Sequence, residues 1–416
     1  MRILWHSTVP WSSSSYSVLT ARTIPNIVRN GGHDVTLSTW YGLSGAPMPW
    51  QIIDKNGSES KTVQIIPHHA VGGNTYGEAM LVENYKFTKS EVCMTACDVF
   101  VFQPQITQQV NFAPWLPIDT DPVPDGILHA LQPAIYPMCY SKWGTALLEA
   151  AGVKAHYVPC SAPADVFKPG DKAGARTMFT VNRDYDFLVT MVAANKSPED
   201  RKGFTEALLG FARFLEKHPD AIFYIHTDWG GPIRIDHIAA RLGIEKNIIQ
   251  PNQYALINGL LNEAYMANVY QASDVLLNPA KSEGFGLPLI EAQMCGCPIA
   301  ATDFATTDEL LFAGWKLDGQ PDWYVGAESW RKRVYVSAVA DALEEAYRNK
   351  DNEKLRRKAR NGAMRYDNQT VFNQYWKPAL AEIETIVNRS KITIPSFTNG
   401  KQANVTETRN LVPIQG

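Results

Sequence analysis

The sequence predicts an α/β chain made of two parallel, helix-covered sheets. Two observations point there. Short buried-strand runs alternate with amphipathic helical stretches, and this alternation begins at residue 2 and restarts at residue 187, after a stretch bearing proline, glycine and lysine. The length agrees: 416 residues correspond to two or three domains at roughly 100–200 residues each.

The composition supports a large packed core, with 45% hydrophobic and 19% charged residues. A net charge of −3 excludes a polycation built for nucleic acid or membrane surfaces, though a local patch remains open. MRILWHSTVPW is too short and mixed for a secretory apolar core. No run of about 18 apolar residues is present, so neither a signal peptide nor a spanning helix is expected. The cysteines (93, 97, 139, 160, 295 and 297) then read as free thiols of a reducing compartment, and a cytoplasmic location follows. Cys93-x3-Cys97 and Cys295-Gly-Cys297 lack a second half at zinc-site spacing, so no metal is expected there.

In chain order, RILWHST (2–8) reads as the first strand and WSSSSYS (11–17) as a turn. VLTARTIPNIVRNGGH (18–33) reads as a helix closed by Gly31-Gly32, and DVTLSTW (34–40) as the second strand. DVFVFQ (98–103) is the next predicted strand, and APWLPIDTDPVPDG (113–126) is expected to interrupt regular structure. Residues 129–152 hold a short strand and a helix, and 156–176 a linker. The second half runs strand 187–195, helix 204–219, strand 221–227, helix 235–243, strand 247–251, helix 260–273 and strand 274–279. Strand 298–303 and helices 337–350 and 353–366 follow. Leu208, Phe211, Phe214 and Leu215 share one helix face. The expected organisation is an N-terminal domain 1–168, a C-terminal domain 169–370, a helix 371–389 returning to the first domain, and a mobile tail 390–416.

The most informative stretch is SEGFGLPLIEAQMCGCP (282–298), with Glu283 and Glu291 on either side of a glycine turn. It follows the buried strand DVLLNP, and Pro288 suits the first turn of a helix. Backbone N–H groups of Gly284, Phe285, Gly286 and Leu287 then face the crevice at the strand's carboxyl end, where parallel sheets bind ligands and a helix start favours an anion. One carboxylate can accept from two vicinal hydroxyls, as a ribose offers, so Glu291 and Glu283 suit the two ends of a nucleotide carrying a sugar. A solvated acid and a capping acid around a tight helix start is the alternative.

The full run S-E-G-F-G-L-P-L-I-E-A-x-x-C-G-C-P-I-A-A-T-D resembles the signature of the retaining nucleotide-sugar glycosyltransferases of family four, which have the GT-B fold. Asp274, Pro279 and Glu309 also sit where that family has them. The resemblance implies two Rossmann-like α/β domains facing each other across a cleft. It implies that Glu291 holds the ribose and that Glu283, with the Gly284–Leu287 backbone, lies by the donor sugar and diphosphate. HYVPCSAPADVFKPG is similar to the family's inter-domain segment, with Asp165, Phe167 and Pro169 retained and Cys160-Ser161 in place of Asn-Gly. VAANKSPEDRKGFTEAL is similar to its phosphate-binding segment. Lys202-Gly203 matches there, and Asn195, Lys196 and Arg201 are expected to bind the donor; Asn195 replaces an arginine, so Lys196 or Arg201 would supply the second cation.

The N-terminal half resembles the family more loosely. PWSSSSYSVLT stands at the family's glycine turn, and Ser15, Tyr16 and Ser17 read either as a phosphate or acceptor loop or as an ordinary turn. WLPIDTDPVPDGI resembles a subgroup with W-x-P-x-D-x-D-P-V-P; Asp119 and Asp121 could bind acceptor hydroxyls or cap turns. His6, His68 and His69 read as satisfied core or surface histidines. The basic run EKLRRKARNGAMR (353–365) reads as a solvated helix face, with contact to a membrane surface as the alternative.

The resemblance thus implies transfer of a sugar, with retention, from a nucleotide-diphospho-sugar to a hydroxyl. It implies Lys202 and Glu283 as catalytic groups and no required cofactor or metal. The acceptor stays open among a glycan, a lipid-linked glycan, a protein and a modified nucleic-acid base. A catalytically silent nucleotide-sugar-binding scaffold and a nucleotide-sugar epimerase are the alternatives.

Overall fold

The computed structural model describes residues 1–53, 57, 60–68, 75–179 and 185–392. His69 and the tail beyond residue 392 lie outside them. The N-terminal sheet comprises β1 (Arg2–Ser7), β2 (Asp34–Thr39), β3 (Met48–Ile53), β4 (Ser60–Ile66), β5 (Val92–Ala96), β6 (Phe112–Leu116), β7 (Met138–Cys139) and β8 (His156–Tyr157). Its order is β3-β4-β2-β1-β5-β6-β7-β8, parallel throughout except for β3 against β4. The second sheet contains β9 (Leu188–Val192), β10 (Ile222–His226), β11 (Ile248–Ile249), β12 (Val275–Asn278), β13 (Ile299–Thr302) and β14 (Gly314–Leu317). Its order, β11-β10-β9-β12-β13-β14, reverses direction between β9 and β12, the kind of switch point where ligands bind.

Four local expectations are corrected. Residues 98–103 are no strand: Val99–Val101 form one 3₁₀ turn with Phe100 exposed, and the strand is the wholly buried Val92–Ala96 just before. Regular structure is not interrupted at 113, because FAPWL is a buried strand between β5 and β7 that carries Pro114 within it. The first helix spans Ser15–Arg29, earlier than the serine run suggests, because Ser14 caps it by accepting from Ser17 N at 3.1 Å. The segment 156–176 holds the edge strand β8 and a short helix, Lys172–Arg176. Two pairs went unpredicted: β3–β4, and a two-stranded hairpin of β15 (Gly319–Tyr324) with β16 (Ser329–Val334).

The sheets are joined through their cores. Residue 162 bonds backbone-to-backbone with Tyr366 and Asn368, tying the crossing between the halves to the returning chain. Trp376 then packs beside Trp5 and Trp115 under the first sheet, with ring centroids 5.9 and 4.8 Å away. The helix Lys377–Ile392 continues from it.

Candidate active site

The site begins at the carboxyl end of β12. The chain turns through Pro279–Gly286 and enters the helix Leu287–Met294, with Gly286 at φ 94° and Pro288 in the first turn. The turn 199–204 lies against it. The Asp200 carboxylate accepts from Phe204 N and Thr205 N, each at 2.8 Å, and so caps the helix Phe204–Leu215. At Gly203 (φ 72°) a Cβ would come within 2.3 Å of the Pro279 carbonyl oxygen. Lys281 N donates to Arg201 O at 2.8 Å, and Arg201 Nη1 donates to Ser282 O at 2.8 Å. These contacts set Lys202 Nζ 2.7 Å from Glu283 Oε1.

The N-terminal half supplies the opposite wall. Gly284 approaches Pro117 so closely that a Cβ would stand 2.3 Å from the proline's own. Asp119 Oδ2 is 3.6 Å from Arg201 Nη1, and the Tyr16 hydroxyl lies beside the Asp98 carboxylate. Acids and cations thus alternate across the cleft. Burial pushes the Glu283 carboxyl up, but Lys202 and Arg201 outweigh it and hold it below its usual range. Burial and the neighbouring Arg201 charge lower the Lys202 ammonium, against the pull of Glu283. Arg201 is raised: burial opposes its charge, but Glu283, Asp119 and Asp98 prevail. Burial raises Asp98, as does Asp119, against Tyr16 and Arg201.

Behind Glu283 lies a chamber of about 10 Å³, lined by Asn278, Ser282, Thr302 and Thr307 among others. Ser282 Oγ and Thr302 Oγ1 are buried there without a hydrogen-bond partner among the described residues.

The other sequence-predicted residues divide. Asn195 is turned away from cation work. Its Nδ2 donates to the carbonyls of Asp228 and Ile233, and its Oδ1 accepts from Ile233 N, which fastens the loop after β10. Lys196 is exposed. The Phe285 side chain is buried against Tyr366, so only its backbone serves the turn. Glu291 is 7% exposed, with Oε1 held by Arg22 Nη2 at 2.7 Å and Oε2 by the Tyr270 hydroxyl at 2.9 Å. Ser17 is buried with its hydroxyl bonded to Thr8 and Ser14, Ser15 is exposed, and Tyr16 reaches Asp98. Asp121 meets Trp330 through its backbone. His6 is a satisfied core histidine, bonded to Ser38 Oγ at 3.0 Å and the Tyr76 carbonyl at 2.7 Å. In the basic helix, Arg356 and Arg360 bond backbone carbonyls rather than facing a surface partner.

Sequence reasoning missed Asp98 and Arg22. Asp98 follows β5 directly, at the ligand-binding end of a parallel strand. Taking 98–103 as a strand put it at the wrong end. Arg22 had no local signal.

Two Rossmann-like halves with a cation-lined crevice at the carboxyl end of β12 make up the GT-B fold. Solved structures share that fold. Sucrose-phosphate synthase from Thermosynechococcus elongatus matches with a TM-score of 0.66 and 15% identity, covering 95% of this chain and 100% of its own. Anabaena HepE in complex with UDP and glucose matches at 0.65 and 12%, covering 92% and 99%. Residues 188–363 match the family described as glycosyl transferases group 1. The D-inositol 3-phosphate glycosyltransferase of Mycobacteroides abscessus is 32% identical over 140 residues, 33% of this chain and 29% of that protein. The Segniliparus rotundus protein of the same description is 32% identical over 153 residues, 36% and 31%. The match thus spans about a third of the length of these relatives. No helix among the described residues is long and apolar enough to cross a membrane.

Proposed function

We propose that the protein transfers a sugar, with retention, from a nucleotide-diphospho-sugar to an acceptor hydroxyl. The observation that carries this reading is the Lys202–Glu283 pair with Arg201, set at the start of a helix and faced by Asp119. A diphosphate leaving group gains negative charge as its bond to the sugar breaks. Lys202, Arg201 and the Gly284–Leu287 N–H groups are the donors arranged to stabilise it, and in this reading they need no metal. Glu283 accepts from a donor-sugar hydroxyl. Ser282 and Thr302, whose hydroxyls have no hydrogen-bond partner among the described residues, offer further polar contacts.

The inositol phosphate glycosyltransferase relatives and the UDP- and glucose-bound HepE structure support the donor class. Glu291 is the proposed ribose contact. Each of its oxygens has one protein donor and a further lone pair, so ribose binding either shares or displaces Arg22 and Tyr270. In this reading residues 1–168 form the acceptor domain and 169–370 the donor domain, with Asp119 and Asp121 on the acceptor side, and the protein works in the cytoplasm.

Asn195, standing where the resemblance has arginine, favours a second reading as a binder without turnover. Thermal unfolding against UDP, GDP, ADP, CDP and dTDP, and then their sugars, tests the donor site. A ligand at about a hundred times its Kd adds roughly 2.7 kcal/mol. A shift in the parent that Glu291→Ala loses supports the proposal. No shift with any nucleotide or nucleotide-sugar overturns it, and binding without sugar release or transfer selects the second reading.

A further inference from the structure

The β15–β16 hairpin carries a feature that the donor chemistry does not use. Trp323 and Trp330 are directly opposite in its register, with ring centroids 4.8 Å apart at 66°. A cross-strand aromatic pair steadies a hairpin, yet these indoles remain 46% and 47% exposed. The opposite face is inward and closed: Arg331 is buried, paired with Asp322 at 2.8 Å, and its guanidinium lies over the Tyr324 ring.

The hairpin's position ties it to the candidate site. Trp330 N donates to Asp121 O at 2.7 Å, Asp121 N donates to Trp330 O at 3.2 Å, and Ser329 Oγ donates to Pro122 O. Along the same strand Lys332 N donates to Lys281 O at 3.0 Å, and Lys281 in turn bonds Arg201. A continuous strip therefore runs from Lys202–Glu283 through Arg201–Asp119 to Asp121 and the two tryptophans.

We infer that this strip is an acceptor subsite for a neutral glycan, an inference that rests on the transfer reading above. A pyranose presents an apolar C–H face to an aromatic ring and hydroxyls at its edge. The tryptophans supply the first contact, and the exposed Asp121 and half-exposed Asp119 carboxylates accept from the second. The charge pattern disfavours a nucleic acid, which stacks on similar rings but needs cations for its phosphates. Arg331, Lys332 and Arg333 are each paired to carboxylates of Asp322, Asp303 with Asp318, and Glu206, and the groups beside the rings are acids.

The test is binding of maltohexaose, cellohexaose, mannohexaose, chitohexaose and an oligothymidylate to the parent and to Trp323→Ala, Trp330→Ala and Trp323→Phe. At least one neutral oligosaccharide should bind the parent. Affinity should fall about tenfold or more in each alanine variant and be largely kept by Trp323→Phe. A cooperative thermal unfolding transition close to the parent's, measured without ligand, reports that each variant is folded. No oligosaccharide binding, equal binding by the alanine variants, or preference for the oligothymidylate overturns the inference. Tryptophan-dependent oligosaccharide binding without any nucleotide shift leaves this carbohydrate surface standing and removes the transfer reading alone.

Discussion

Arg22 Nη2 lies 2.7 Å from Glu291 Oε1, joining the first helix of one half to the site helix of the other. The same guanidinium donates to Glu263 at 2.7 Å and to the Ser161 carbonyl at 3.0 Å. Arg22 and Glu291 are both buried. Removing one partner of such a pair costs about 3–5 kcal/mol, because the other charge is left in a poor solvent. Arg22→Leu should therefore lower the urea midpoint strongly. Arg22→Lys should recover only part of the loss, since an ammonium cannot reach three partners in a fixed fork.

Lys202→Ala should lower kcat by about 10²–10³ while leaving affinity for the bare nucleoside nearly unchanged, because the added leaving charge develops in the transition state and a nucleoside has no phosphate. Steady-state kinetics beside nucleoside titration separates the two effects. A fall in nucleoside affinity as large as that in kcat would place Lys202 elsewhere.

The same pair sets two pH dependences of stability, one acid and one alkaline, and in both stability rises with pH. The Glu283 carboxyl is held below its ordinary 4.5, so its contribution is complete above that value and is lost as pH falls through the lower folded pKa. The Lys202 ammonium is held below 10.5, so the unfolded chain binds more protons in the window just under 10.5 and stability rises with pH there. Urea unfolding of the parent and Lys202→Met across both windows should show the alkaline rise only in the parent.

His6 gives a clearer acid signal. Burial lowers its pKa from 6.5 to about 4, against the Tyr76 carbonyl bond. The unfolded chain binds the extra proton between those values, so stability falls as pH drops from 6.5 to about 4, by on the order of 3 kcal/mol. His6→Gln should flatten that slope in urea unfolding.

Trp376→Ala should destabilise by about 3–5 kcal/mol, since the ring is 3% exposed beside Trp5 and Trp115. Calorimetry should show a lowered Tm, and Trp376→Phe should recover part of it.

Asn195→Ala should cost about 1–3 kcal/mol of stability by unpairing Ile233 N and two carbonyls. Donor affinity and its salt dependence should stay unchanged, whereas losing a phosphate-binding cation would weaken binding and flatten that dependence. Nucleotide titration at low and high salt reads the difference.

The grouping of Glu283, Glu291 and the glycine turn at one helix start was legible, because those parts are local in the chain. A strand, a glycine turn and a helix start lie within about twenty residues, and Lys202 stands one turn away in space. Other parts were not legible. Asp98 was hidden by a strand placed a few residues late, since VFVF has the apolar content of a strand but no partner on either side. The hairpin carrying Trp323 and Trp330 was hidden by Pro321 and by the lack of clean alternation.

The sequence by itself determined that apolar runs must alternate as strand and helix, that the alternation restarts midway, and that a glycine turn places two acids beside a helix start. Those are consequences of near-neighbour sterics and periodic burial. The tertiary structure decided which acids meet which cations. Arg22 and Glu291 are separated by 269 positions, and Lys202 and Glu283 by 81. A charge's partner is set by through-space distance and the dielectric around it, and neither is written in the spacing along the chain.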